Sequence, residues 1–463
     1  MLGKQAMSLI PIVGGPCGRT LWLVHRDKLV VLVRVKVLPA ALDCNNTGVT
    51  VSQQRRAQSI GSMERPERTQ SFQGKGLAIL RAHPCVSSRP FDQASSGLTA
   101  TFTHLTSSFP LKLISPRASS NNASRQVQRS QTTKASAEQE QRNCRETSGL
   151  VTDVSRGVAA LYIVGYGGGL VSGDDVQLDV DVGEQCTLAV LTQGSTKVFK
   201  VKKIEPNEVR RSPPMVTSLA TRQKSRFLVR ANACLLVLPD PVTCYEASHY
   251  TQIQRFDLQC ASTSSLILLD WITPGRQLSA TGKAAAEDDS SSNRKPTGEA
   301  WRFKCYRSRN EIRLPEPAGV LVRDVLELAG PPESLSGRTR PYQVYGTLFL
   351  IGPAALEALA TFQAEWLSIE QRKKAGSSGH QVRKPAMDYH SWTDPNVLWS
   401  FSLLEISKGS AVAPGASSPT QPQAAIVRFA GTETDTVRTW LRSKLGSLKD
   451  QSLGPDLFRS ALG

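Results

Sequence analysis

The side chains best able to ligate a transition metal or act as nucleophiles are scattered along this 463-residue chain. Its six histidines (His25, His83, His104, His249, His380, His390) form no HExxH pair and no His-rich cluster, and the nearest approach to a ligand pair is Asp388-x-His390. The nine cysteines (Cys17, Cys44, Cys85, Cys144, Cys186, Cys234, Cys244, Cys260, Cys305) are odd in number and contain no CxxC. That pattern encodes neither a zinc module nor a disulfide framework, and it fits a reducing intracellular setting. No GxSxG elbow occurs either. What remains for chemistry is a set of carboxylates, amides and hydroxyls placed on turns.

The densest of these turns is residues 165–175, GYGGGLVSGDD. Gly167, Gly168, Gly169 and Gly173 permit positive φ and close backbone approach, so the segment reads as a tight structural turn. Asp174 either caps that turn or offers a carboxylate to a passing cation. A phosphate-binding loop would need GxxxxGK[ST] opening a helix, and a strand follows here. Residues 191–199, LTQGSTKVF, run a strand into a polar cluster of Gln193, Ser195, Thr196 and Lys197. Residues 238–245, LPDPVTCY, close a strand with a Pro-Asp-Pro turn that contains Asp240. Asp270 and Arg276 bracket DWITPGR, and Glu299 opens the GEAWRF segment at 298–303.

Charge narrows the function classes. The formal net charge is +17, but residues 1–150 hold twenty Lys/Arg against eight Asp/Glu, so the other 313 residues carry a surplus of only five. Basicity concentrated in a polar N-terminal third is not the basic face of a nucleic-acid binder. Residues 29–38, LVVLVRVKVL, are too short and too charged to span a bilayer. The first 62 residues, with two acids and eight Lys/Arg, mildly resemble a mitochondrial presequence; the rival explanation is translation from Met63. The expected compartment is the cytoplasm.

The elements that must position these turns are mostly strands. Val176, Leu178, Val180 and Val182 alternate with Gln177, Asp179 and Asp181, which is the period of a half-buried strand with a solvated acidic face. Similar short runs separated by Gly and Pro continue from residue 74 to 328 and predict an all-β-dominated body. Two helices are expected, at about 353–374 and 432–448. The first has Pro353 in its opening turn; the second has Thr432 as N-cap with Asp435 three residues on. Residues 1–73 read as an N-terminal extension, disordered or mis-predicted, and 74–463 as one β domain. Polar insertions interrupt that domain at about 119–149, 206–218, 282–297, 331–340, 373–384 and 408–422.

Taken in order, FPLKLISP at 109–116, GYGGGLVSGD at 165–174, LTQGSTKVF, LPDPVTCY, DWITPGR and GEAWRFKCYRSRNEI at 298–312 resemble the UreD (UreH) family of urease accessory proteins, as does the close of the chain. The extension and insertions suggest a eukaryotic, fungal-like member. The resemblance implies a stacked, helix-like winding of β-sheets and a non-catalytic scaffold. Such a scaffold binds apo-urease and UreF, reaches the GTPase UreG through UreF, and passes nickel along an internal tunnel. On that reading Asp174, Gln193, Thr196, Lys197, Asp240, Asp270, Arg276 and Glu299 are candidates for the nickel route or its motifs. No cofactor is held tightly and nickel binds transiently, because spaced oxygen donors release the ion that a Cys/His cage would retain. Nucleic acid and membrane are not expected partners. A basic nucleic-acid-binding protein or an uncharacterised enzyme is the alternative.

Overall fold

The computed structural model describes residues 7–8, 11–12, 20–25, 28–34, 72–84, 98–116, 156–201, 220–275, 299–377, 396–404 and 424–463. Four short strands come first: β1 (Met7–Ser8), β2 (Pro11–Ile12), β3 (Thr20–His25) and β4 (Lys28–Arg34). There follow β5 (Gln73–Pro84), β6 (Leu98–Ser107), β7 (Leu111–Ile114), β8 (Gly157–Gly165), β9 (Asp175–Val182), β10 (Cys186–Thr192) and β11 (Thr196–Val198). The middle of the chain gives β12 (Thr221–Val229), β13 (Cys234–Val237), β14 (Val242–Cys244), β15 (His249–Leu258), β16 (Ser265–Pro274), β17 (Cys305–Arg313) and β18 (Val320–Ala329). Helix α1 (Pro332–Thr339), β19 (Val344–Ile351), helix α2 (Leu356–Ser377), β20 (Val397–Leu404) and β21 (Ala424–Gly431) lead to helices α3 (Thr434–Lys444) and α4 (Gly454–Leu462).

These strands build two sheets. The first runs β1-β3-β4-β18-β17-β15-β12-β9-β5-β6, and the second β20-β21-β19-β16-β13-β10-β8-β7 with β14 and β11 attached. The chain crosses between them repeatedly: β9 to β10, β12 to β13, β15 to β16. In the first sheet β5, β9, β12, β15 and β17 are successively parallel, and in the second β8, β10, β13 and β16 are. The result is a flattened coil whose successive turns stack in register. Phe227 pairs with Phe256 and their rings stack 4.9 Å apart and nearly parallel; Tyr250 pairs with Tyr306 at 6.1 Å. The helix-like winding of an all-β-dominated body is present.

Two apolar layers hold the coil. One lies between the sheets and includes Leu80, Leu178, Val180, Phe227 and Phe256 facing Leu188, Leu235, Leu266 and Leu268. The other covers the outer face of the second sheet, where Ala189, Leu236, Ile267, Leu348 and Val427 meet Leu359 and Phe362 of α2, Trp440 and Leu441 of α3, and Phe458 of α4. Strand β16 therefore has both faces covered and is buried along its whole length, which is why SLILLDWITP is a near-continuous apolar run. Each such buried Leu or Phe contributes about 2–3 kcal/mol.

Helices differ from expectation in number and in start. Among the described residues, two short helices, α1 and α4, stand alongside α2 and α3. Helix α1 falls in the polar segment 331–340 and buries Leu335, one apolar anchor being too weak a period to read. Helix α3 begins at Thr434, not at a Thr432 cap, and its preceding residue Glu433 makes no side-chain cap bond. Its Arg442 donates to the Leu462 carbonyl at 2.6 and 2.9 Å, satisfying an acceptor in the last turn of α4 that has no partner within the helix. The segments 119–149, 206–218, 282–297 and 408–422 and the end of 373–384 fall outside the described residues. Among the described residues no helix is long and apolar enough to cross a membrane.

Candidate cation route

The loops read as turns in the sequence converge at one place. A cavity of about 220 Å³ is lined by Pro110 from the β6–β7 connection, Gly168 and Gly169 from the glycine turn, and Gln193, Thr196 and Lys197 from the β10–β11 segment. The walls are fixed by backbone bonds between the three segments. The Tyr166 N–H donates to the Pro110 carbonyl (2.9 Å), and the Leu170 N–H donates to the Lys197 carbonyl (2.8 Å). Close approach requires glycine at 169: a Cβ there would lie 2.5 Å from the Lys197 carbonyl oxygen. Gly167 and Gly168 are glycine for another reason, φ of +73° and +77°.

Asp174 does what a turn carboxylate does. Its Oδ2 accepts the Val171 N–H at 2.8 Å, while Oδ1 is buried without a donor. Burial raises its pKa, against that one backbone bond. It stands beside the cavity and does not line it.

Ile163, Thr192, Thr196 and Gln223 belong equally to a second, inner cavity of about 50 Å³ that lies between the sheets and reaches Asp240, Gln252, Gln254 and Asp270. Asp240, at its edge, donates its N–H to Thr192 Oγ1 (2.9 Å) and is bound to Arg438 of α3 at 2.5 Å. Asp270 sits deeper, 6% exposed, on β16. Its Oδ2 accepts Ser308 Oγ and Asn310 Nδ2, both at 2.6 Å, and its Oδ1 accepts Gln252 Nε2 at 3.2 Å and Tyr306 OH at 3.4 Å. Desolvation pushes its carboxyl above the usual range; the bonds from Ser308, Asn310 and Tyr306 oppose this only in part, and the nearby Asp324 charge adds to it. Burial likewise holds the Tyr250 and Tyr306 phenols well above their ordinary value, so both remain neutral donors.

The polar line continues across both sheets. On one side, Ser225, Gln254, Asn310 and Asp324 are register neighbours along β12, β15, β17 and β18. Opposite them, Asp270, Thr347 and Arg428 are neighbours along β16, β19 and β21. Arg428 donates to Asp324 across the interior at 2.9 Å. A seam of amides, hydroxyls and carboxylates thus crosses an otherwise apolar sandwich. Its oxygen atoms suit weak, reversible coordination of a divalent ion. Among the described residues no three His, Cys, Asp or Glu side chains cluster as a metal cage.

Of the residues singled out in the sequence, Gln193, Thr196, Lys197, Gly168 and Gly169 come together in the outer cavity, and Thr196, Asp240 and Asp270 in the inner one. Gly167, Gly173 and Asp174 shape the adjoining turn. Glu299 lines neither cavity; its carbonyl accepts the Arg302 N–H in a turn that seats the buried Trp301. Arg276 lies outside the described residues. Sequence reading missed Gln223, Ser225, Gln252, Gln254, Ser308, Asn310 and Asp324. A signal existed, since Phe227, Tyr250 and Phe256, Tyr306 and Ile312, and Val322 and Leu326 fix the inward frame of their strands, and period two then places these polar residues inside.

Comparison with known proteins decides what kind of seam-bearing coil this is. The model of the family described as UreD urease accessory protein matches residues 119–295 and 277–458. The chain belongs to the UreD family. The urease accessory protein 4 of Cryptococcus neoformans is similar to it, with 32% identity over 293 residues, 61% of this chain and 76% of that one. The uncharacterized urease accessory protein ureD-like of Schizosaccharomyces pombe shares 30% over 289 residues, 61% and 79% of the two chains. Urease accessory protein D of Arabidopsis thaliana shares 27% over 293 residues, 63% and 83%. A role in urease maturation follows from membership of UreD, and the relatives are named as accessory proteins.

Proposed function

We propose that this chain is a scaffold that binds apo-urease and, with UreF and the GTPase UreG, guides nickel toward the urease active site through the seam between its sheets. The observation that carries the reading is the junction of the two cavities: three loops distant in sequence frame an outer chamber, and this abuts an inner one whose far wall bears Asp270. Nickel is cargo here. The chain's own groups act by shape and charge, Gln193 and Thr196 offering neutral oxygens at the entrance and Asp240 and Asp270 offering carboxylates further in. A solvated divalent ion exchanges water for such hard ligands without being trapped. Asp240 is partly neutralised by Arg438, which weakens its hold further.

Thr196 lines both chambers, so Thr196→Trp fills the junction. Urease co-purification with this variant should match wild type, while nickel incorporated per urease falls severalfold. Full nickel loading by a folded Thr196→Trp chain would rule out passage through the junction.

A further inference from the structure

Beside the outer cavity the surface carries a run of aromatic side chains that packing does not explain. Phe72 is 36% exposed, Phe109 51% and Tyr166 47%, with Val171 on the same turn at 42%. The rings come from three separate segments yet touch in a chain, Phe72 edge-on to Phe109 at 4.9 Å and Phe109 to Tyr166 at 5.6 Å. Leu367 on α2 and Leu403 on β20, which are also exposed, stand on separate elements. Contiguous half-exposed aromatics mark a contact surface, because these side chains supply most of the energy where proteins dock. The rings also flank the cavity directly: Phe109 precedes its lining residue Pro110, and Tyr166 follows Gly165. Between them Gly167 and Gly168 project into open space, with no atom within 4 Å of where a Cβ would stand. A partner can therefore lie close against this backbone.

The charge around the rim is basic. Lys112 Nζ stands 5.9 Å from the centre of the Tyr166 ring. Lys197 lines the cavity, and the Lys75 backbone is tied to Ser108 beside Phe109. The two carboxylates of the turn do not cancel this, Asp174 being buried and Asp175 lying 3.7 Å from Lys224. We infer that this aromatic rim is a docking surface for a protein partner that presents an apolar side chain within an acidic face, and that docking covers the outer cavity. The surface is argued from its own residues; only the choice of probes rests on the urease-maturation reading.

The test measures the affinity of the full chain for two purified probes, apo-urease and UreF, without nickel, so that its outcome is independent of the proposed metal route. Phe109→Ser combined with Tyr166→Ser should weaken binding of one probe about tenfold or more while melting stays near wild type. Phe109→Tyr should restore most of it. Lys112→Glu should weaken the same probe, and by more at low salt than at high salt, as screening requires. Leu367→Ser, on α2, should leave both affinities unchanged. Unaltered affinity for both probes in the Phe109/Tyr166 double variant, or tighter binding by Lys112→Glu, would overturn the inference.

Discussion

Asp270→Asn separates a role in folding from a role in passing a cation. The carboxylate accepts four hydrogen bonds from neutral donors, and among the described residues no Lys or Arg forms an ion pair with it. Asparagine can keep its oxygen toward Ser308 and Asn310, where both contacts are 2.6 Å, and turn its NH₂ toward Gln252 and Tyr306, where they are 3.2 and 3.4 Å. The variant then forfeits the two longer bonds, about 1 kcal/mol. Against this it removes a charge that burial disfavours. The pH dependence has a definite sign. A carboxyl whose folded pKa is raised contributes stability below its unfolded value, 3.8, and loses it as pH rises through the folded value. Denaturant unfolding should thus show Asp270→Asn gaining on wild type as pH rises above 3.8. Cation passage should suffer regardless. A carboxylate and a divalent ion 4 Å apart attract by roughly 8 kcal/mol at an effective dielectric of 20, before water is stripped from both. If one fifth of that survives, activation of urease slows about tenfold. Equal activation by Asp270→Asn, or a stability difference that shrinks with rising pH, would refute the reasoning.

Further expectations concern the frame. Gly168→Val should cost about 1–3 kcal/mol, seen as a lower urea midpoint, because φ is +77° while space is open, so backbone strain alone is measured. Glu311 is 8% exposed and gripped by Arg309, Arg313 and Arg323 at 2.6–2.9 Å; burial pulls its pKa up, and the three guanidinium groups outweigh this and bring it to about 2. Its contribution of about 2–3 kcal/mol should be present above pH 4.5 and vanish as pH falls toward 2, so Glu311→Gln should destabilise the chain at pH 7 and scarcely at all at pH 2.

The fold was legible where apolar period and burial agree. In β9 the alternating valines and leucines face inward and the acids outward, where Asp181 meets Arg81 and Arg230 at 2.7 and 2.9 Å. Helices α2 and α3 declared themselves by their aromatic stripes, and Trp440 and Phe362 now pack 5.7 Å apart. Strands β19 and β21 drew no notice because an apolar run buried on both faces has no period to read, whereas β20 does alternate, with Val397, Trp399 and Phe401 buried, and was passed over. The turns of the site were legible as motifs, since glycine and proline announce backbone shape. The seam was not. Gln252 and Gln254 look like the wet face of a strand, and only the frame set by Tyr250 and Phe256 turns them inward. Nor can spacing along the chain show that Asp270 and Asn310, forty residues apart, share a 2.6 Å bond.

The role proposed for this chain is delivery of metal to urease, which performs the chemistry itself. Its most direct test compares urease polypeptide, nickel per urease and urea hydrolysis in cells with and without the chain. Cells lacking it should make normal amounts of urease polypeptide that holds little nickel and hydrolyses little urea, with partial recovery in excess nickel by mass action. Urease carrying its full nickel content in those cells would contradict the account.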